Sequence, residues 1–222
     1  MVNTNTKIDY DKAFQIFTSK DEYDILNRPQ FCSPFTQSGK YVATDACSII
    51  YLPIEYAELN YQPSDVPKCD RYLNIESVMN VDISVSELEA KLIPELVDEI
   101  IEETTESECR DCDGKGTMEC DLEHEHDCNE CGGDGKIITI IKKPTGKKIP
   151  NQEKKYKLLG VGFMYKQLRR LIDACRLLEI ETITKTFGTN GVGNLFKCGN
   201  AWILVMPCLT TDDEENEFTI IL

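Results

Sequence analysis

Apolar positions recur at helical spacing in three stretches of the chain and alternate with polar ones in most of the rest. Between residues 8 and 17, Tyr10, Ala13, Phe14 and Phe17 fall on one face, predicting a short amphipathic helix that Asp9 or Asp11 could cap. From 86 to 103, Leu88, Leu92, Leu96 and Ile100 recur every four residues with acids opposite, predicting a second helix interrupted or started near Pro94. The strongest helical signal runs from 162 to 178. Met164, Leu168, Leu171, Ile172, Cys175 and Leu178 share one face, and Lys166, Arg169, Arg170 and Arg176 share the other, relieved only by Asp173.

Strand patterns lie between these helices. Pro29 and Pro34 break helix, Ser38-Gly39 is a turn, and Tyr41–Ala43 with Ser48–Leu52 reads as a β-hairpin about Thr44-Asp45. Residues 57–81, with Pro63 and Pro67, read as loop with a short strand. Residues 136–141, Lys-Ile-Ile-Thr-Ile-Ile, read as a strand, and 142–157, with Pro144, Gly146 and Pro150, as a basic connecting loop. Three strands follow the last helix, at 182–187, 194–198 and 201–207. A final strand is expected at 218–222, after an acidic turn.

Composition adds little until it is sorted by position. The chain has 222 residues, 41% hydrophobic and 28% charged, as ordinary globular domains have. No apolar run approaches the roughly 18 residues that a membrane span requires. The net charge of -15 argues against indiscriminate nucleic-acid binding. Yet Glu87 to Asp134 is dominated by acids, whereas Lys136 to Arg170 holds eleven Lys or Arg against Glu153 alone.

Between the acidic and basic stretches stands the most specific motif. Cys-x-x-Cys-x-Gly-x-Gly occurs twice, as Cys109, Cys112, Gly114, Gly116 and as Cys128, Cys131, Gly133, Gly135. The spacing C-x2-C-x15-C-x2-C is one that zinc sites use: four thiolates close a tetrahedron around one Zn2+. Glycine after each cysteine pair lets the chain turn so that amides can point at sulfur. Two disulfides are the alternative. They need an oxidising compartment, and the segment MVNTNTKIDY shows neither a basic region nor an apolar core of a signal peptide, so a cytoplasmic location is expected. Cys120, His124 and His126 lie between the two knuckles and could form a second, incomplete metal site. They include the chain's only histidines.

The cysteine units resemble the cysteine-rich region of J-domain chaperones of the DnaJ type, which carry four such units and two zincs. Here two units imply one zinc. There is no His-Pro-Asp triplet and no Gly/Phe-rich linker, so chaperone activity does not carry over.

A second resemblance covers about two thirds of the chain. The stretch from Tyr156 to Leu209, with a strand at 159–162, a helix from Phe163, strands from Thr182 and Val205-Met206-Pro207, is similar to the closing half of a bacterial DNA polymerase sliding-clamp (β-clamp) domain. The N-terminal helix and the hairpin GKYVATDACSIIYLP, with Thr44-Asp45 after a strand, resemble the opening half. The resemblance implies an α+β, DNA-clamp-like domain of two helices on antiparallel sheet, interrupted by a zinc-binding insert. Residues 1–85 and 136–222 are expected to form its halves and 86–135 the insert. Bacterial clamps hold three such domains per chain, so encircling DNA would take several copies of this one; a stand-alone clamp-like domain with a zinc insert would suit a phage or mobile element.

Three function classes follow. In the clamp family helices present Lys and Arg to the duplex backbone without reading bases, and Lys166, Arg169, Arg170 and Arg176 would do so here, helped by Lys142, Lys143, Lys147 and Lys148. A non-enzymatic adaptor would use the knuckle and its acidic surroundings to recruit a replication or other protein partner. An enzyme is the least supported class. Cys47 beside Asp45 has no activating histidine, and the chain carries no P-loop, dinucleotide fingerprint or HExxH.

Overall fold

The structure is a computed structural model and describes residues 8–119, 124–189, 191–209 and 219–220. In chain order its helices are α1 (Tyr10–Gln15), α2 (Glu22–Asn27), α3 (Asp70–Leu73), α4 (Val85–Lys91) and α5 (Tyr165–Leu177). The strands of the first half are β1 (Phe35–Gln37), β2 (Lys40–Thr44), β3 (Ser48–Pro53), β4 (Val81–Ser84), β5 (Leu96–Glu108), β6 (Thr117–Glu119) and β7 (Glu125–Asp127). Those of the second half are β8 (Lys136–Pro150), β9 (Lys155–Leu158), β10 (Val161–Met164), β11 (Thr182–Phe187), β12 (Asn194–Cys198), β13 (Ala201–Val205) and β14 (Thr219–Ile220). No helix among the described residues is long and apolar enough to cross a membrane.

Two compact units emerge. One joins the chain up to Glu95 with the chain from Asn151 onward, and the other is Leu96–Pro150.

The first unit, the body, is built on a seven-stranded sheet in the order β1-β2-β3-β13-β12-β11-β4, antiparallel throughout. The two chain segments meet where β3 pairs β13, from Ser48 opposite Val205 to Tyr51 opposite Trp202. Alternation along these strands sends Ala43, Ile50, Leu52, Ile83, Phe196 and Ile203 to one face. There they pack with Ala13 and Phe14 of α1, Leu88 of α4, and Leu168, Leu171 and Ile172 of α5. The other face buries Phe35, Val42, Ile49, Tyr51, Leu195 and Leu204 with Cys69 and Leu73. A sheet covered on both sides explains why β3 reads as an unbroken apolar run rather than an alternating one. Leu168, Leu171 and Ile172 are fully buried, so truncating one of them to Ala costs about 2–5 kcal/mol.

Most sequence expectations for the body hold at the level of elements. Asp9 caps α1 by accepting the amide of Lys12 at 3.0 Å. The hairpin about Thr44-Asp45 is β2–β3, and the three strands after the last helix are β11, β12 and β13. That helix begins at Tyr165, later than its apolar period implies. Residues Val161–Met164 pair with β9 instead, and Gln167 Oε1 accepts the amide of Met164 at 2.8 Å, fixing the first turn. The expected terminal strand lies partly outside the described residues. Within them, Thr219 and Ile220 pair in parallel with Lys157 and Leu158.

The second unit overturns two expectations. The helix expected over 86–103 ends at Lys91, as α4, and from Leu96 onward the chain is strand β5. Pro94 cannot continue a helix, and Val97, Ile100, Ile101, Thr104 and Thr105 beyond it are β-branched. The basic connector expected over 142–157 is extended as well, since β8 runs unbroken to Pro150. β5 and β8 form an antiparallel two-stranded ribbon from Glu108 opposite Lys136 to Leu96 opposite Pro150, with a register shift between Asp98 and Ile100. At about 3.3 Å per residue it is roughly 40 Å long. The compact unit thus starts ten residues later than the 86–135 insert and takes in 15 residues, 136–150, that the sequence reading gave to the second half.

Candidate metal centre

At the end of the ribbon the chain makes two equivalent turns. After Cys109-x-x-Cys112, Gly114 and Gly116 take φ of +75° and +81°. After Cys128-x-x-Cys131, Gly133 and Gly135 take +96° and +70°. The turns lock together reciprocally: Cys109 N–H donates to the carbonyl of Gly135 at 2.9 Å, and Cys128 N–H to that of Gly116 at 2.7 Å. A methyl group on Gly116 would overlap the carbonyl oxygen of Gly133, and one on Gly135 that of Gly114. Positive φ and close approach of two backbones both require glycine here.

The four sulfurs lie within 4.8 Å of one another. Cys109 Sγ is 3.8 Å from Cys128 Sγ, and Cys112 Sγ is 3.7 Å from Cys131 Sγ. A disulfide requires about 2.05 Å. Sulfurs at about 2.3 Å from a central ion stand about 3.8 Å apart along a tetrahedron edge, so the observed spacing is that of metal ligands. Gly116 N–H and Gly135 N–H donate to Cys112 Sγ and Cys131 Sγ, each at 3.2 Å, as amides do to thiolates.

The electrostatics point the same way. Cys109, Cys112 and Cys128 are buried. Burial pushes the Cys109 thiol up to about 12. Burial also raises Cys131, but the amides of Gly135 and Gly133 and the neighbouring sulfurs outweigh it and bring that thiol down to about 7. Four thiolates packed within 4.8 Å of one another repel, and a cation among them relieves that repulsion. The four cysteines therefore fit a thiophilic metal ion. Four protein ligands leave no open position, which makes the site structural in kind.

The possible second site between the knuckles falls partly outside the described residues. Cys120 lies outside them, and His124 and His126 are exposed, the latter in β7. The only cluster of potential metal ligands among the described residues is the tetracysteine one.

Each cation assigned to DNA faces an acid. On the ribbon Lys142 pairs with Glu102 at 3.1 Å, Lys143 with Glu103 at 2.5 Å, Lys147 with Glu99 at 3.3 Å and Lys148 with Asp98 at 2.9 Å. In the body Arg169 bridges Glu89 at 2.8 Å and Asp173 at 2.5 Å, and Arg176 contacts Glu89 as well. Arg170 pairs with Asp45, and Lys166 reaches Glu153 at 3.8 Å. The acidic partners were missed in the sequence although a signal was present: the flanks of the cysteine motif carry opposite charge at matching distances from it.

Asp45 is fully engaged. Its Oδ1 accepts the amides of Cys47 at 3.0 Å and Ser48 at 2.8 Å, and Oδ2 faces Arg170. It holds a turn and is not free to activate the exposed Cys47 thiol.

No family model matches the chain, and no curated protein does. Among solved structures it is similar to the Helicobacter pylori beta clamp bound to a DNA ligase peptide, at 12% identity and a TM-score of 0.46 over 91% of this chain and 63% of that one. It is also similar to Caulobacter crescentus pol III beta, at 11% identity and 0.45 over 90% and 63%. The DNA polymerase sliding clamp from Bacillus subtilis gives 12% identity and 0.43 over 90% and 61%. The chain thus spans less than two thirds of the length of the clamps it matches.

Proposed function

We propose that the chain is a non-enzymatic accessory protein in which a clamp-like body carries a zinc-capped β-ribbon as a docking arm for a protein partner. The observation that carries the reading is the convergence of the Cys109, Cys112, Cys128 and Cys131 sulfurs within 4.8 Å at the tip of a ribbon that has little core of its own. A lone two-stranded hairpin is marginal in water, and closing its end with Zn2+ supplies the missing free energy. Zinc suits four thiolates in tetrahedral array better than a hard, oxygen-seeking cation does.

The ribbon's surface supports the docking role. Ile100, Ile101, Ile138, Ile140 and Ile141 are exposed along it. The unit from Leu96 to Pro150 holds fifteen Asp or Glu against seven Lys or Arg. A partner with a basic rim and an apolar centre complements such a surface. What supports the clamp-like body is the joint placement of Thr44-Asp45 at the β2–β3 turn and Val205-Met206-Pro207 at the end of β13, together with helices on an antiparallel sheet.

The test is affinity capture from the native host with the intact chain and with Ile138→Thr/Ile140→Thr/Ile141→Thr. A protein retained by the first and lost from the second supports the docking arm. Equal retention by both contradicts it.

A second reading keeps contact with DNA backbone through α5, where Lys166 and Arg176 have side chains 41% and 53% exposed despite their acidic partners. Retardation of duplex DNA that weakens steeply with salt and is blind to sequence supports that reading, and no retardation at low salt removes it.

A further inference from the structure

The inner face of β11 carries a lysine where the alternation calls for an apolar side chain. Lys185 shares its face with the fully buried Ile183, stands opposite Phe196 on β12 and opposite Val81 on β4, and is only 3% exposed. Among the described residues its ammonium makes no hydrogen bond and no ion pair. A lysine so largely covered without a counter-charge is costly and uncommon, and its ammonium still reaches the open space beside it. Burial lowers its pKa from the ordinary lysine value, with no carboxylate in opposition.

Lys185 also lines a cleft of about 400 Å3, together with Met79, Val81, Leu159, Val161 and Gly188. The volume falls at the lower end of small-molecule sites, and apolar walls with two polar side chains, Lys185 and Thr189, are what such sites have. One wall is a tightly built turn. Gly188, at φ +109°, lies so close to Asn194 that any Cβ would come within 2.6 Å of Asn194 Cα. Asn194 in turn donates from Nδ2 to the carbonyls of Thr189 at 3.2 Å and Val192 at 2.9 Å, which fixes that wall beside the lysine.

We propose that this cleft is a binding site for a small monocarboxylate with a short aliphatic tail, its carboxylate on the Lys185 ammonium and its tail against Met79, Val81, Leu159 and Val161. One lysine is a point charge with three donors, enough for one carboxylate, whereas a phosphate dianion would call for further cations. The four apolar residues account for the tail. The site is separate from the cysteine cluster, which belongs to the other compact unit.

The test is titration of the full chain with hexanoate, followed by the Met79 methyl resonance, beside a titration with hexan-1-ol. The expected result is a saturable shift with hexanoate and at least about ten-fold weaker binding of the alcohol, since a charge-assisted hydrogen bond is lost. This comparison uses the unaltered chain and needs no variant to fold. Lys185→Met should weaken hexanoate binding by about ten-fold or more while the alcohol is unaffected. No saturable shift with hexanoate, equal binding of acid and alcohol, or hexanoate binding unchanged in Lys185→Met would each overturn the proposal.

Discussion

Arg170 on α5 is paired with Asp45 in the β2–β3 turn, across 125 residues of chain. The pair joins the two sequence segments that make the body, at the turn between β2 and β3. Asp45→Asn keeps one acceptor for the amides of Cys47 and Ser48 but sets a neutral amide against the guanidinium. The expected outcome is a loss of about 1–3 kcal/mol in urea unfolding with an unchanged denaturant slope, partly recovered when Arg170→Met is added.

The knuckle glycines give a prediction that concerns backbone alone. Gly116→Ala and Gly135→Ala each drive a methyl group into a carbonyl of the opposite turn, so both chains should purify with well under one metal ion each. Gly146→Ala is the control. It has a similar φ of +79° but nothing within 4 Å, so it should cost about 1 kcal/mol of strain and keep the metal. Metal content by mass spectrometry under native conditions distinguishes the three.

Glu89 makes stability depend on acid. Its hydrogen bond to Arg169, with the charges of Arg176 and Arg169, holds its carboxyl below the ordinary glutamate value. A depressed carboxylate contributes stability that is fully present above its unfolded pKa of about 4.3 and is lost as pH falls through the lower folded value. Glu89→Gln should therefore flatten the fall in stability in that acid window and lower the stability at pH 7. Thermal melts from pH 7 to pH 3 measure both.

Removing the metal should act on the ribbon and leave the body intact. With a chelator present, limited proteolysis is expected to cut within residues 96–150 first, whereas the melting transition of the body should shift little. Joint collapse of both units on chelation would mean that the metal holds more than the ribbon.

Much of the body was legible because local and long-range signals agree there. The capped helix at Tyr10, the hairpin about Thr44-Asp45 and the glycine-punctuated strands after Thr182 carry their own turn chemistry. The four cysteines were legible for the same reason, since Cys-x-x-Cys-x-Gly-x-Gly encodes both the ligands and the turn that aims them. The ribbon was not. Leu88, Leu92, Leu96 and Ile100 happen to fit a helical period, whereas the partner that makes β5 a strand lies 28 to 54 residues away, from Glu108 opposite Lys136 to Leu96 opposite Pro150. Lysines 142, 143, 147 and 148 were readable as possible phosphate ligands, but not the acids of β5 with which they pair. Lys185 was legible in principle, because it shares the parity of Ile183 within TITKTF and so must face inward.

One ion held by four sulfurs is expected to fasten the tip of the acidic ribbon. The most direct measurement is replacement of the native metal by Co2+, read by absorption and by stoichiometry. One Co2+ per chain is expected, with the strong absorption of a tetrahedral, all-thiolate centre, and that spectrum should be lost in Cys112→Ser. No bound metal, a spectrum without thiolate ligands, or full retention of it in Cys112→Ser would contradict the account.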